Sequence, residues 1–132
     1  MYFEGRIHVM NKRLTIKNVI LKADNKVRLE IENNQPLNDC KASGQMLVDS
    51  DNLSFIYLLE EDDHYTYIAI PDTVWSDLKH VIAQSHPVIL TNGSEEILLT
   101  QFREELIYLI ENIKGNSNYG ETMVSKVEVV FE

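Results

Sequence analysis

Covalent catalysis by a side chain requires a nucleophile with a base in reach, so the scarce reactive residues are informative first. There is one cysteine, Cys40, and there are four histidines, His8, His64, His80 and His86. Cys40 lies in a polar stretch, and none of the histidines stands in a recognisable catalytic motif. An isolated cysteine without a local signature reads as an inert or buried thiol. Zinc chemistry would need a Cys pair, a His-x-x-x-His or a Glu-x-x-His on a helical stretch, and none is present. Glycine-rich phosphate cradles of the G-x-x-x-x-G-K-[ST] and G-x-G-x-x-G types are also absent. The expectation is no catalytic residue, no metal and no cofactor.

Two polar segments stand out instead. Asp49-Ser50-Asp51-Asn52 starts like a calcium loop, since acids at alternate positions bring carboxylates toward one point. The next oxygen ligand would fall on Leu53, and Ser54 occupies the place of the required glycine, which excludes an EF-hand. The segment then reads as a turn in which Asp and Asn side chains bond the local backbone. The second segment, Asn116-Ser117-Asn118-Tyr119-Gly120, concentrates amides, an aromatic ring and a glycine between two apolar runs. Such loops often carry binding groups on a rigid scaffold, and they also serve simply to cap helix ends. Asp49, Asp51, Asn52, Asn116, Asn118 and Tyr119 are the candidate binding surface.

The elements that must position these residues follow from hydrophobic period. Ile7 and Val9, then Leu14, Ile16 and Val19-Ile20-Leu21, then Val27, Leu29 and Ile31 recur at period two, with turn chemistry at Asn11-Lys12 and Asp24-Asn25. This predicts a three-stranded meander whose Val19–Leu21 run is buried. Residues 33–45 have loop composition. Leu53–Leu59 and Tyr65–Ile70 form a strand pair across the acidic turn 60–64, with Phe55, Tyr57, Tyr65 and Tyr67 making an aromatic sheet face. Asp72 or Thr73 can cap a helix carrying Val74, Trp75, Leu78, Val81 and Ile82, with Trp75 in the core. Val88–Leu90 and Ile97–Leu99 flank Thr91-Asn92-Gly93-Ser94, a strong hairpin signal. Thr100 caps a second helix whose core face is Phe102, Leu106, Leu109, Ile110 and Ile113, closed by Lys114-Gly115. Met123, Val127, Val130 and Phe131 have helical spacing after an Asn118…Glu121 capping box, although Val127 and Val129 also fit a strand. The expected class is α+β in one domain over residues 1–132: a mostly antiparallel sheet (N-terminal meander, central strand pair, later hairpin) packed with about three helices, two of them C-terminal.

Composition bounds the setting. With 132 residues, 44% apolar and 25% charged, the chain has the make-up of an ordinary globular domain. One cysteine permits no intramolecular disulfide and argues for a reducing, cytoplasmic compartment. The start MYFEGRIHVMNKRL carries Glu4, Arg6, Lys12 and Arg13 and reads as neither signal peptide nor anchor. No stretch approaches the roughly 20 apolar residues of a membrane span. Net charge is −9, distributed as +3 over residues 1–48 and −12 over 49–132. An acidic surface repels phosphate backbones, so nucleic acid is excluded as the expected partner. The basic part, with Lys12, Arg13, Lys17, Lys22, Lys26 and Arg28, reads as outward-facing strand residues. The same asymmetry makes self-association between unlike faces a candidate.

Leu47-Val48-Asp49-Ser50-Asp51-Asn52 with Phe55, the Pro71…Trp75 helix start, and Ile110-Glu111-Asn112-Ile113-Lys114-Gly115-Asn116 with Asn118-Tyr119-Gly120 resemble the YjbL-like family. The resemblance covers roughly residues 45–132. It implies a small, uncharacterised cytosolic protein of Gram-positive bacteria, and it assigns no catalytic residue. The leading expectation is a non-enzymatic protein-interaction or regulatory module. The alternative is a small-molecule or metal-ion binding protein, or an enzyme with an unfamiliar acidic site, which requires Asp49 and Asp51 to converge with another acid or a histidine.

Overall fold

The computed structural model describes residues 2–3, 12–37, 39–62 and 64–132. Nine strands are formed by these residues: β1 (Tyr2–Phe3), β2 (Lys12–Thr15), β3 (Asn18–Leu21), β4 (Val27–Glu30), β5 (Lys41–Asp49), β6 (Ser54–Glu61), β7 (His64–Pro71), β8 (Val88–Thr91) and β9 (Glu96–Leu98). Three helices, α1 (Trp75–Ile82), α2 (Phe102–Ile113) and α3 (Glu121–Phe131), complete an α+β fold. The last of these settles residues 121–131 as helix.

The strands form two sheets, ordered β1-β5-β6-β7-β2 and β3-β4-β8-β9. Both are mixed rather than purely antiparallel: β1/β5, β2/β7 and β4/β8 pair in parallel, and the other four pairings are antiparallel. Among the described residues, the later strands of the expected N-terminal meander do not follow one another in one sheet. The chain changes sheet at one peptide: Ile16 N–H bonds Ala69 O (2.9 Å) in the first sheet, and Lys17 N–H bonds Glu30 O (2.9 Å) in the second. Leu14 and Ile16 therefore belong to a different sheet from Val19–Leu21, and among the described residues the β3/β4 hairpin is the part of the expected meander that forms. Because β3 is a sheet edge, Ile20 and Leu21 are exposed rather than buried. Ile7, Val9, His8 and Asn11 lie outside the described residues.

β5 begins at Lys41, inside the stretch whose composition predicts a loop. A register shift between Ala42 and Met46 accommodates the loop-like Ser43-Gly44 pair, with Gly44 at φ +76°. This bulge is held by Ser43 Oγ donating to Leu58 O (2.6 Å) and by Gly44 N–H donating to the Tyr57 hydroxyl (3.1 Å).

The core lies between the sheets and the helices. Alternation on β6 sends Phe55, Tyr57 and Leu59 into it, where they meet Trp75, the five expected residues of α2, and Met123, Val127 and Phe131 of α3. Phe55, Trp75 and Phe131 form one aromatic group with ring centres 5.1 to 6.3 Å apart, and Trp75 Nε1 donates to Ile70 O (3.0 Å). Ile56, Leu58, Tyr67 and Ala69 make a smaller cluster on the other face of the first sheet. The four aromatics expected on one face are thus divided, because Phe55 and Tyr57 alternate inward and Tyr67 pairs with outward Leu58.

The helix starts differ from expectation in a consistent way. Asp72–Val74 form a 3-10 turn without a side-chain cap, since Asp72 is engaged by Lys126 (3.4 Å). Thr100 does not cap α2. Its carbonyl accepts from the Tyr57 hydroxyl (2.7 Å), and Gln101, at φ +61°, occupies the cap position. No Asn118…Glu121 capping box forms, because Gly120 takes the cap position of α3. The 88–98 hairpin turns through Asn92–Glu95, with the Asn92 side chain buried as the organiser of the turn.

Candidate functional site

The turn after β5 is built around Asp49. Its carboxylate is buried, takes a hydrogen bond from Asn52 Nδ2 (2.8 Å) and faces Arg13 of β2 at 3.1 Å. The backbone N–H of Asn52 also points to it at 3.4 Å. Asp49 and Asn52 therefore shape the turn, as the sequence suggests for Asx residues. Leu53 closes it in the left-handed region, φ +47°, which is uncommon for a residue with a side chain. Its carbonyl accepts from Asp72 N–H (3.0 Å), tying the turn to the start of α1.

The loop between α2 and α3 is built around Asn116. After Gly115 ends α2 at φ +68°, Asn116 Oδ1 accepts from Asn118 N–H (3.1 Å) and nucleates the 3-10 turn Ser117–Tyr119. Tyr119 is thereby folded inward, and burial, with Tyr108 nearby, raises its phenol above the ordinary range. Gly120, at φ +92° and ψ 143°, then launches α3 through a conformation that suits only glycine.

These two segments meet. A surface hollow of about 370 Å³ is lined by Ser50, Asp51 and Leu53 on one side and by Tyr119, Gly120, Glu121, Thr122 and Met123 on the other. Of the six sequence candidates, Asp51 and Tyr119 line it. Asp49, Asn52 and Asn116 hold the walls by the bonds given above, and Asn118 is exposed outside it. The remaining lining residues went unrecognised. Glu121–Met123 present an ordinary helical composition, and what they bring to the hollow is backbone rather than side-chain chemistry. The first intrahelical bond of α3 is Val124 N–H to Gly120 O (3.0 Å), so the preceding N–H groups have no acceptor within the helix, and Gly120 at the cap position supplies no side chain to them. Ser50 Oγ is sequestered from solvent and has no hydrogen-bond partner among the described residues. A second hollow, along Glu121, Thr122, Ser125, Lys126 and Val129, shares two residues with the first and extends it down α3. Val129 is 76% exposed there.

The arrangement offers hydrogen-bonding groups and a concave shape. None of the described residues lining either hollow is a histidine or cysteine. Asp49 and Asp51 do not converge, since the first turns to Arg13 and the second to the hollow. Among the described residues no group of three His, Cys, Asp or Glu side chains is placed to hold a metal ion. Cys40 is half-buried with Sγ 3.5 Å from Glu61, and burial together with that neighbouring carboxylate pushes its thiol up to about 11. That is the opposite of an activated nucleophile. No described helix is long and apolar enough to cross a membrane.

Fold and site together define a small α+β protein organised around a polar surface hollow. Its family follows from comparison with known proteins: the model of a family of unknown function, UPF0738, matches residues 14–131, and the chain belongs to that family. It is 45% identical over 124 residues to a UPF0738 protein of Geobacillus sp. (strain WCH70), covering 92% of this chain and 98% of the relative. It is 46% identical over 122 residues to UPF0738 protein YjbL of Bacillus subtilis (strain 168), covering 92% and 99%. The resemblance noted over residues 45–132 thus extends through most of the strand-rich first third as well. No solved structure matches the chain.

Proposed function

We propose that this protein is a non-enzymatic interaction module of the cytoplasm, and that the hollow between the 50–53 turn and the start of α3 receives a segment of a protein partner. One observation carries the reading: two polar segments far apart in sequence, each held by its own side-chain-to-backbone bonds, converge on a single concavity. A preformed concave surface with few polar groups lowers the ordering cost of binding. The chemistry of the occupant follows from the lining. Asp51 and Glu121 are the charged groups at the first hollow, and Lys126 in the second is already paired with Asp72. A segment with basic character and free backbone hydrogen-bonding groups fits, with an apolar side chain laid against Val129. A lone cysteine supports the cytoplasmic setting.

Site-specific photocrosslinking in a bacterial host of the family tests this. A photoreactive residue at Asp51 and one at Thr122 should yield the same adduct, and one at Lys79 on α1 should not. An adduct of twice the 15.3 kDa chain mass would identify the partner as a second copy. Different adducts from the two positions, or none, would end the proposal.

A further inference from the structure

We infer a second binding site, independent of the first, that takes a small organic cation with an apolar body. It is a cleft of about 490 Å³ between the edge strand β3 and helix α1, within the range of small-molecule sites. One wall is apolar: Val19 and Leu21 of β3 and Val27 of β4, continued by Val81 and Ala83. Leu21 is 58% exposed, a large apolar side chain left wet on the wall of a concavity. The other wall carries Asp77, His80, Gln84 and His86. Asp77 and His80 lie one turn apart on α1, with Gln84 in the turn just past its C-terminal end, while Trp75 and Leu78 of the same helix enter the core. His86 is fixed by a 2.7 Å bond between its Nε2 and Gln84 Oε1.

The sign of the ligand follows from the charges. No Lys or Arg is among the described lining residues. Asp77 forms no ion pair with a described residue, and the cleft adjoins the C-terminal end of α1, where the helix dipole adds partial negative charge. Lys22, next to Leu21, is exposed on the β3/β4 turn and does not line the cleft. An ammonium group near Asp77 and the ring nitrogens, with its hydrocarbon body covering Leu21 and Val27, satisfies both walls. A carboxylate of the same shape would satisfy only the apolar one.

A matched pair of probes tests the inference: tryptamine and indole-3-propionate, titrated into the ¹⁵N-labelled full chain and followed by amide shifts. Tryptamine should move amides of residues 19–27 and 77–86 saturably, about fivefold more tightly than the acid, as expected for one partly exposed charge pair. Asp77→Asn, at an exposed position that leaves the fold intact, should erase that preference without abolishing apolar binding of either probe. Leu21→Lys should weaken both. Equal binding of the two probes, no binding of either up to millimolar concentration, or a preference that survives Asp77→Asn would overturn the assignment.

Discussion

Arg13 lies on edge strand β2 and Asp49 at the end of β5, with two strands between them in the sheet order, yet their side chains meet at 3.1 Å. This contact joins the basic first third of the chain to the turn that shapes the candidate site. Asp49 is 1% exposed and Arg13 keeps about a quarter of its side chain in water, so the pair is only half shielded from solvent. Removing the acid strands the guanidinium, whose Nη1 is already buried without a partner among the described residues, and releases Asn52. Asp49→Ala should cost about 2 kcal/mol, below the range for fully buried pairs because of Arg13's exposure. Asp51→Ala, at an exposed position, should stay within about 0.5 kcal/mol. Urea denaturation of both variants decides the matter; equal costs would mean that Asp49 does not organise the turn.

Gly120 sets the angle at which α3 leaves the loop. Its φ of +92° with ψ of 143° is open only to glycine, while nothing lies within 4 Å of where a Cβ would stand. The penalty for Gly120→Ala is therefore conformational rather than steric, about 1 to 3 kcal/mol. If the backbone instead relaxes, Glu121–Met123 rotate and the hollow changes shape. A thermal melt measures the first outcome, and amide shifts confined to residues 50–53 and 119–123 report the second. A fully stable Ala variant with unchanged shifts would contradict the geometry described.

The sequence made some of this legible and hid the rest for identifiable reasons. The β6/β7 pair, the core face of α2 and the burial of Trp75 are written in local period and composition, and each forms as expected. The parallel pairings of β2 with β7 and of β4 with β8 are not local, since nothing in Lys12–Thr15 names a partner that lies far along the chain. Ser43-Gly44 disguised the start of β5 because a bulge borrows turn residues. Of the hollow, the sequence offered the two polar segments that carry Asp51 and Tyr119. The site was not visible as a hollow, because its third side is the uncapped backbone of α3.

Glu95 ties the 88–98 hairpin to the segment before β5, and this tie is sensitive to acid. Its carboxylate accepts from Leu37 N–H (2.9 Å) and Asn92 Nδ2 (2.8 Å), bonds that hold it below the ordinary glutamate range when folded. Because the folded form binds its proton less readily than the unfolded one, the stabilisation is present above the unfolded value near 4.5. It fades as pH falls from there through the lowered folded value. Urea midpoints of wild type and Glu95→Gln should therefore differ most at pH 6 to 7 and converge toward pH 3. A gap that stays constant with pH would assign the effect to shape alone.

The Tyr57 hydroxyl touches both the β5 bulge and the residue before the α2 cap, donating to Thr100 O at 2.7 Å and accepting from Gly44 N–H at 3.1 Å. Desolvation raises its phenol, so the hydroxyl stays protonated and remains a donor across the neutral range. Its ring, stacked 6.1 Å from Phe102, would remain in place after Tyr57→Phe. The change therefore isolates the polar contacts, leaving a carbonyl and an N–H without that partner at a cost of about 1 to 3 kcal/mol. The loss should appear first as faster amide exchange at Gly44, whose N–H bonds the hydroxyl directly, and next at the first turn of α2, which follows the Thr100 carbonyl that the hydroxyl holds. Uniform exchange changes across both sheets would instead mean that the bridge serves the whole core rather than this junction.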